Sequence, residues 1–137
     1  MRLIIFSSLL IVCLGCGNTK NVKMKPNELN GTWVPINQEI AGKRLPHAVF
    51  EKQELIISDN LYTFTAESVD KGEVRYSGGK MDIYGKEGVN AGKHFTAIYK
   101  YENGQLSICY NLSGDSYPEA FETKSKQTLF LSVFKKS

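Results

Sequence analysis

The chain is expected to fold as one all-β domain, a small antiparallel up-and-down β-barrel of about eight strands. Three observations lead there. From Leu29 onward the apolar residues recur with period two, and no long stretch keeps a helical period. Three two-residue turn signals, Asp59-Asn60, Gly78-Gly79 and Asn103-Gly104, join apolar runs in the way hairpins require. At each of these turns the implied register sorts apolar from polar side chains onto opposite faces. With 137 residues, 42% hydrophobic and 23% charged, the chain has material for one core and no second domain. Its 17 basic and 14 acidic residues leave a formal charge of only +3, a balance that argues neither for nor against a polyanionic partner, and no nucleic-acid partner is expected.

The order of elements starts with Met1-Arg2 and an apolar run from Leu3 to Leu14, broken only by Ser7 and Ser8. A membrane span needs about 20 apolar residues, so this run reads as an export signal. It ends in Cys13-Leu14-Gly15-Cys16-Gly17, and Leu14-Gly15-Cys16 resembles the end of a bacterial lipobox. The resemblance implies lipidation of Cys16 as the new N-terminus, with residues 1–15 as the lipoprotein signal peptide. Cys13 stands where that pattern usually has leucine, and a cut before Cys13 would place Val12 where a small residue is wanted. An ordinary signal peptide cut nearby, or an uncleaved anchor, is the alternative. Residues 16–28 lack an apolar period and read as a flexible tether of roughly 20 Å. Lys20, Lys23 and Lys25 are solvated there, or add attraction to anionic headgroups.

The barrel domain, residues 29–137, is expected to place strands near 31–40, 53–58, 61–67, 72–77, 80–85, 94–101, 104–110 and 128–135, with one helical turn over 46–52 started by Pro46. Around Asp59-Asn60, Ile57 faces Tyr62 and Leu55 faces Phe64 on the apolar side. Around Gly78-Gly79 the inward pairs are Tyr76 with Met81 and Val74 with Ile83, while Arg75 meets Asp82 outside. Around Asn103-Gly104 they are Tyr101 with Leu106, Tyr99 with Ile108 and Ala97 with Tyr110. Short antiparallel strands with one apolar face must close on themselves to hide that face and their edges. Tyr62, Phe64, Tyr76, Phe95, Tyr99 and Tyr110 would then line or fill the interior.

Gly31-Thr32-Trp33 resembles the signature that opens lipocalins, whose tryptophan plugs the closed end of the barrel. Leu29-Asn30-Gly31-Thr32-Trp33, Gly42-Lys43-Arg44-Leu45-Pro46, Asp70-Lys71-Gly72, Met81-Asp82-Ile83, Glu87-Gly88 with Gly92-Lys93, Ile98-Tyr99 and Leu106-Ser107-Ile108-Cys109 occur in the order seen in a bacterial family of short lipocalin-like domains first noted in planctomycetes. That resemblance spans about residues 29–135. It implies a lipocalin-like fold and export, and carries no established activity. Against full-size lipocalins the chain lacks a Thr-Asp-Tyr stretch, a late arginine over the tryptophan and a helix after the last strand.

No residue set compels a reaction, and the chain is read as a non-enzyme without cofactor. Cys109 is left without an intramolecular partner once Cys13 and Cys16 are assigned, and falls on the outward face opposite Ile98. His47, on an expected lid, and His94, at a strand start, lack the spacing of a metal site. Gly114-Asp115-Ser116-Tyr117 is similar to the nucleophile block of one hydrolase group, but it sits in a late loop of an all-β chain rather than before a helix. The connection over 111–127 is long enough to serve as a lid or binding loop, the alternative being a mobile strand return with Phe121 pinned to the core. The expectation is a membrane-anchored lipoprotein of the bacterial cell envelope, on the outer membrane facing the periplasm, whose barrel binds a small apolar or amphiphilic ligand. The alternative is a filled barrel that contacts an envelope protein through loops 86–93 and 111–127.

Overall fold

The computed structural model describes residues 26–137, so the leader, Cys16 and most of the tether lie outside the described residues. A short 3₁₀ turn, Pro26–Leu29, leads into β1 (Gly31–Ile40). There follow β2 (Lys43–Arg44), a one-turn helix α1 (His47–Phe50), β3 (Glu54–Ser58), β4 (Leu61–Thr65), β5 (Val69–Ser77), β6 (Lys80–Glu87), β7 (His94–Glu102), β8 (Gln105–Asn111) and β9 (Leu129–Lys136). Each strand from β3 to β9 pairs with the next, and β9 returns to pair with β1, which also pairs with β3. Eight antiparallel strands thus close a barrel in meander order, and the two-residue β2 is a flap folded back on β1.

The three expected hairpin registers are all present: Ile57 faces Tyr62, Tyr76 faces Met81, and Tyr99 faces Ile108. Asp59 and Asn103 adopt the left-handed backbone that such turns demand, with φ of 53° each. Asn30 steadies the first turn by accepting from the Asp59 N–H at 2.6 Å and donating to its Oδ1 at 3.0 Å.

Strand limits differ where polar residues are buried or turns are unusual. β5 begins at Val69, not 72, because Asp70 points inward and the strand runs through it. The flap β2 was not expected, since its turn puts Ala41 in the left-handed region at φ 49°, a conformation alanine seldom adopts. Neighbours hold that corner: the Ala41 N–H donates to the Leu129 carbonyl, and the Gly42 N–H to Thr123 Oγ1. α1 packs beside β1, and none of its residues lines the cavity.

The core runs through the barrel axis. Trp33, Leu29, Leu106 and Phe134 fill one end, and Leu55, Ile57, Val74, Met81, Ile83 and Ile108 continue upward. At the plugged end the buried Trp33 Nε1–H donates to the Leu29 carbonyl at 2.8 Å, and Tyr101 meets the indole edge-on at 5.8 Å. Lys136 Nζ lies 5.3 Å from the indole centre, a cation–π contact.

The connection over 112–128 crosses the outer wall. Thr96 donates to the Ser116 carbonyl, Cys109 to the Glu122 carbonyl, Tyr117 to Asp82, and Thr123 to Glu39. It is therefore a strap over β7 and β8 rather than a lid, and only Leu112 of it lines the interior.

Candidate functional site

β1 and β3 pair only between Gly31–Trp33 and Leu55–Ile57, after which β1 parts from β3 and continues toward the mouth on its ladder with β9. A bulge between Pro35 and Asn37 then shifts its register with β9, as expected where a proline cannot donate to the ladder. The upper barrel is consequently not packed solid. It contains a cavity of about 150 Å³ whose walls come from β1 and from β3 through β9.

Most of that wall is apolar: Leu55, Ile57, Val74, Met81, Ile83 and Ile108, with the rings of Tyr62, Phe64, Phe95, Tyr110, Phe130 and Phe134. Four of the six aromatics expected in the interior, Tyr62, Phe64, Phe95 and Tyr110, line it. Tyr76 and Tyr99 do not; they pack edge-to-face on one another at 5.7 Å against the core. Burial raises the Tyr110 phenol, with smaller contributions from Tyr62 and Tyr76, so it stays a neutral donor throughout the physiological range. Tyr76 is pushed up to about 12 by burial, and its hydroxyl has no hydrogen-bond partner. Gly72 makes room for Tyr62: an ideal Cβ there would stand 2.1 Å from the Tyr84 carbonyl oxygen and 2.7 Å from Cε1 of Tyr62.

Two polar groups interrupt the apolar wall. On β1 and β9, Gln38 Nε2 donates to Gln53 Oε1 at 2.6 Å and to Ser132 Oγ at 3.2 Å. On β5, Asp70 accepts from the Asn90 N–H at 3.1 Å and from Asn90 Nδ2 at 3.2 Å. The loop that carries Asn90 closes on Asp70 through Gly88, where a Cβ would meet Asp70 Oδ1 at 2.4 Å. Period-two reading missed Asp70 because the polar trio Asp70-Lys71-Gly72 looks like a turn.

Four exposed apolar side chains belong to the loops and strand ends at this mouth: Val49 (53%), Val69 (47%), Val89 (67%) and Leu112 (38%). Gly31 and Trp33 lie at the opposite, plugged end, and neither lines the cavity.

The other sequence candidates lie outside the cavity lining. Cys109 is on the outer face, yet fully buried beneath residues 112–128, and burial pushes its thiol up to about 11. His47 faces Glu51 at 3.6 Å, whereas His94 Nε2 is 2.7 Å from Asp82 Oδ1, far round the barrel. Ser116 Oγ sits against Asp115, Asn111 and Lys126, and the residue beside His94 Nδ1 is Gly114; these groups do not form a nucleophile–base pair. Arg75 faces Asp82 in register as expected, but its guanidinium lies 5.0 Å from the Tyr84 ring centre. Burial alone would raise the Asp82 carboxyl; hydrogen bonds from Tyr117 and His94, helped by the His94 and Arg75 charges, outweigh it and hold the group below its ordinary range.

No protein-family model, curated protein or solved structure matches the chain.

Proposed function

We propose that this protein is a lipid-anchored envelope protein of the short lipocalin-like kind, whose barrel holds a small apolar or amphiphilic molecule and performs no chemistry on it. The observation that supports binding is the cavity of about 150 Å³ with its aromatic wall. A dry apolar cavity of that size accommodates a ligand on the scale of benzene, whereas pockets for drug-sized ligands run from about 300 Å³ upward. The ligand is thus a molecule of some six to ten heavy atoms or the end of a longer chain. Ring faces supply contact area, and the Tyr62 and Tyr110 hydroxyls supply orientation. Titrating the purified full-length chain with toluene, followed by NMR of the Ile83 and Val74 methyl groups, should show saturable shifts at one equivalent. Shifts that grow linearly without saturation would sink the binding reading.

The anchor rests on Leu14-Gly15-Cys16. Replacing Cys16 by serine should move the protein from the membrane to the soluble fraction, and unchanged fractionation would refute lipidation.

A second reading, a module that contacts an envelope protein, has one observation in its favour: Val49, Val69, Val89 and Leu112 expose apolar surface around the mouth. A photo-crosslinker at Val89 in cells should then capture one discrete protein, which the ligand-carrier reading does not require.

A further inference from the structure

The cavity holds one ionisable acid, and the groups around it say what charge a ligand can carry. Asp70 is 5% exposed and lines the cavity near its mouth. Its two hydrogen bonds come from the neutral donors of Asn90. A carboxylate has about four acceptor positions, so about two remain beyond the Asn90 bonds. No lysine, arginine or histidine lines the cavity, and among the described residues Asp70 enters no ion pair. Buried charges are normally paired, because desolvation without a counter-charge is costly.

The rest of the wall favours the same sign. Tyr62, Phe64, Phe95, Tyr110 and Phe130 turn aromatic surface toward the cavity, and aromatic faces attract cations most strongly where water is excluded. Burial first, and the Asp70 charge second, raise the Tyr62 phenol, so the field of this carboxylate extends along the wall. A carboxylate ligand would meet that field with no lysine, arginine or histidine among the lining residues; Lys93 Nζ reaches Asn90 Oδ1 at 3.5 Å but is not part of the lining.

We propose that the barrel takes a small organic ammonium ion, its hydrocarbon part among the aromatic rings and its nitrogen on Asp70. This rests on the cavity being a ligand site, and narrows that reading to a charge class. Loop 88–93 acts as a positioning element: Gly88 permits the close approach that lets Asn90 fix the carboxylate.

The test uses three probes of similar size, benzylamine, benzyl alcohol and benzoate, titrated into the purified full-length chain at pH 7 by calorimetry. Benzylamine should bind at least about tenfold more tightly than benzyl alcohol, the scale of one charge-assisted hydrogen bond, and benzoate more weakly than either. Asp70→Asn should remove the preference for the amine while leaving benzyl alcohol within about twofold, since the cavity volume is unchanged. Equal binding of amine and alcohol, or stronger binding of benzoate, would overturn the charge assignment and leave the cavity reading standing. Silence from all three probes would overturn both. Should Asp70→Asn fail to fold, the ranking of the three probes on the unaltered chain decides alone.

Discussion

Replacing Val74 by phenylalanine separates a hollow barrel from a solid one by the sign of its effect. Val74 is buried on β5, faces Ile83 across the ladder and lines the cavity. Unfilled interior volume costs about 24 cal/mol per Å³. The space of about 150 Å³ opens at the mouth, so that coefficient is the ceiling on what filling a part of it returns. A phenyl ring in place of an isopropyl group takes up roughly a third of the space, so Val74→Phe should stabilise by about 1 kcal/mol. For a domain near this size that is a rise of about 4 °C in Tm. The same substitution in a core without spare room forces neighbours apart and costs about 1–3 kcal/mol. Urea unfolding followed by far-UV circular dichroism measures the difference, with an unchanged slope as the check that only stability moved. Toluene binding should weaken at least tenfold in the same variant. A destabilisation of 1 kcal/mol or more would refute the reasoning, because it would mean that the upper barrel has no room.

Other expectations concern the plug and the strap. Trp33→Phe removes the donor to the buried Leu29 carbonyl and part of the plug, and should cost about 3 kcal/mol in urea unfolding; a cost below about 0.5 kcal/mol would contradict the plug. Cys109, buried and with its thiol pushed up to about 11, should resist thiol reagents at pH 7 for hours in native protein and react within minutes in urea. Rapid native labelling would show that the strap does not cover it. Because Asp82 is held below its ordinary range in the folded state, its contribution is present above the unfolded value near 3.9 and lost as pH falls through the lower folded one. Asp82→Asn should thus be less stable than the unaltered protein at pH 6, and the gap should close as pH drops below about 4. A gap that does not narrow at all on acidification would place the effect elsewhere.

The barrel was legible because its information is local. A two-residue turn fixes which residues face each other, and Ile57 with Tyr62, Tyr76 with Met81 and Tyr99 with Ile108 then follow with no knowledge of the rest. Period two likewise told inward from outward, which put Tyr62, Phe64, Phe95 and Tyr110 on the interior face. It could not tell how much space that face encloses, since volume depends on closure between β9 and β1 and on the short β1–β3 ladder. Tyr76 and Tyr99 share the pattern of the lining residues and still pack away from the cavity. Asp70 was hidden for a different reason: a buried acid inside a strand breaks the alternation, and the partner that satisfies it, Asn90, arrives from a loop 20 residues later. The strap escaped notice because its fastenings, such as Thr96 to Ser116 and Thr123 to Glu39, join residues that carry no local signal. Cys109 faces outward as the register requires, and is buried only because the strap lies over it.

The most direct measurement is diffraction from crystals of the protein held under xenon pressure. Xenon enters dry apolar cavities of about this volume and reports them without any assumption about the natural ligand. A single strong xenon peak is expected inside the upper barrel, between Ile83, Phe95, Tyr110 and Phe134. A barrel interior without a xenon peak, with side chains closed over that space, would contradict it.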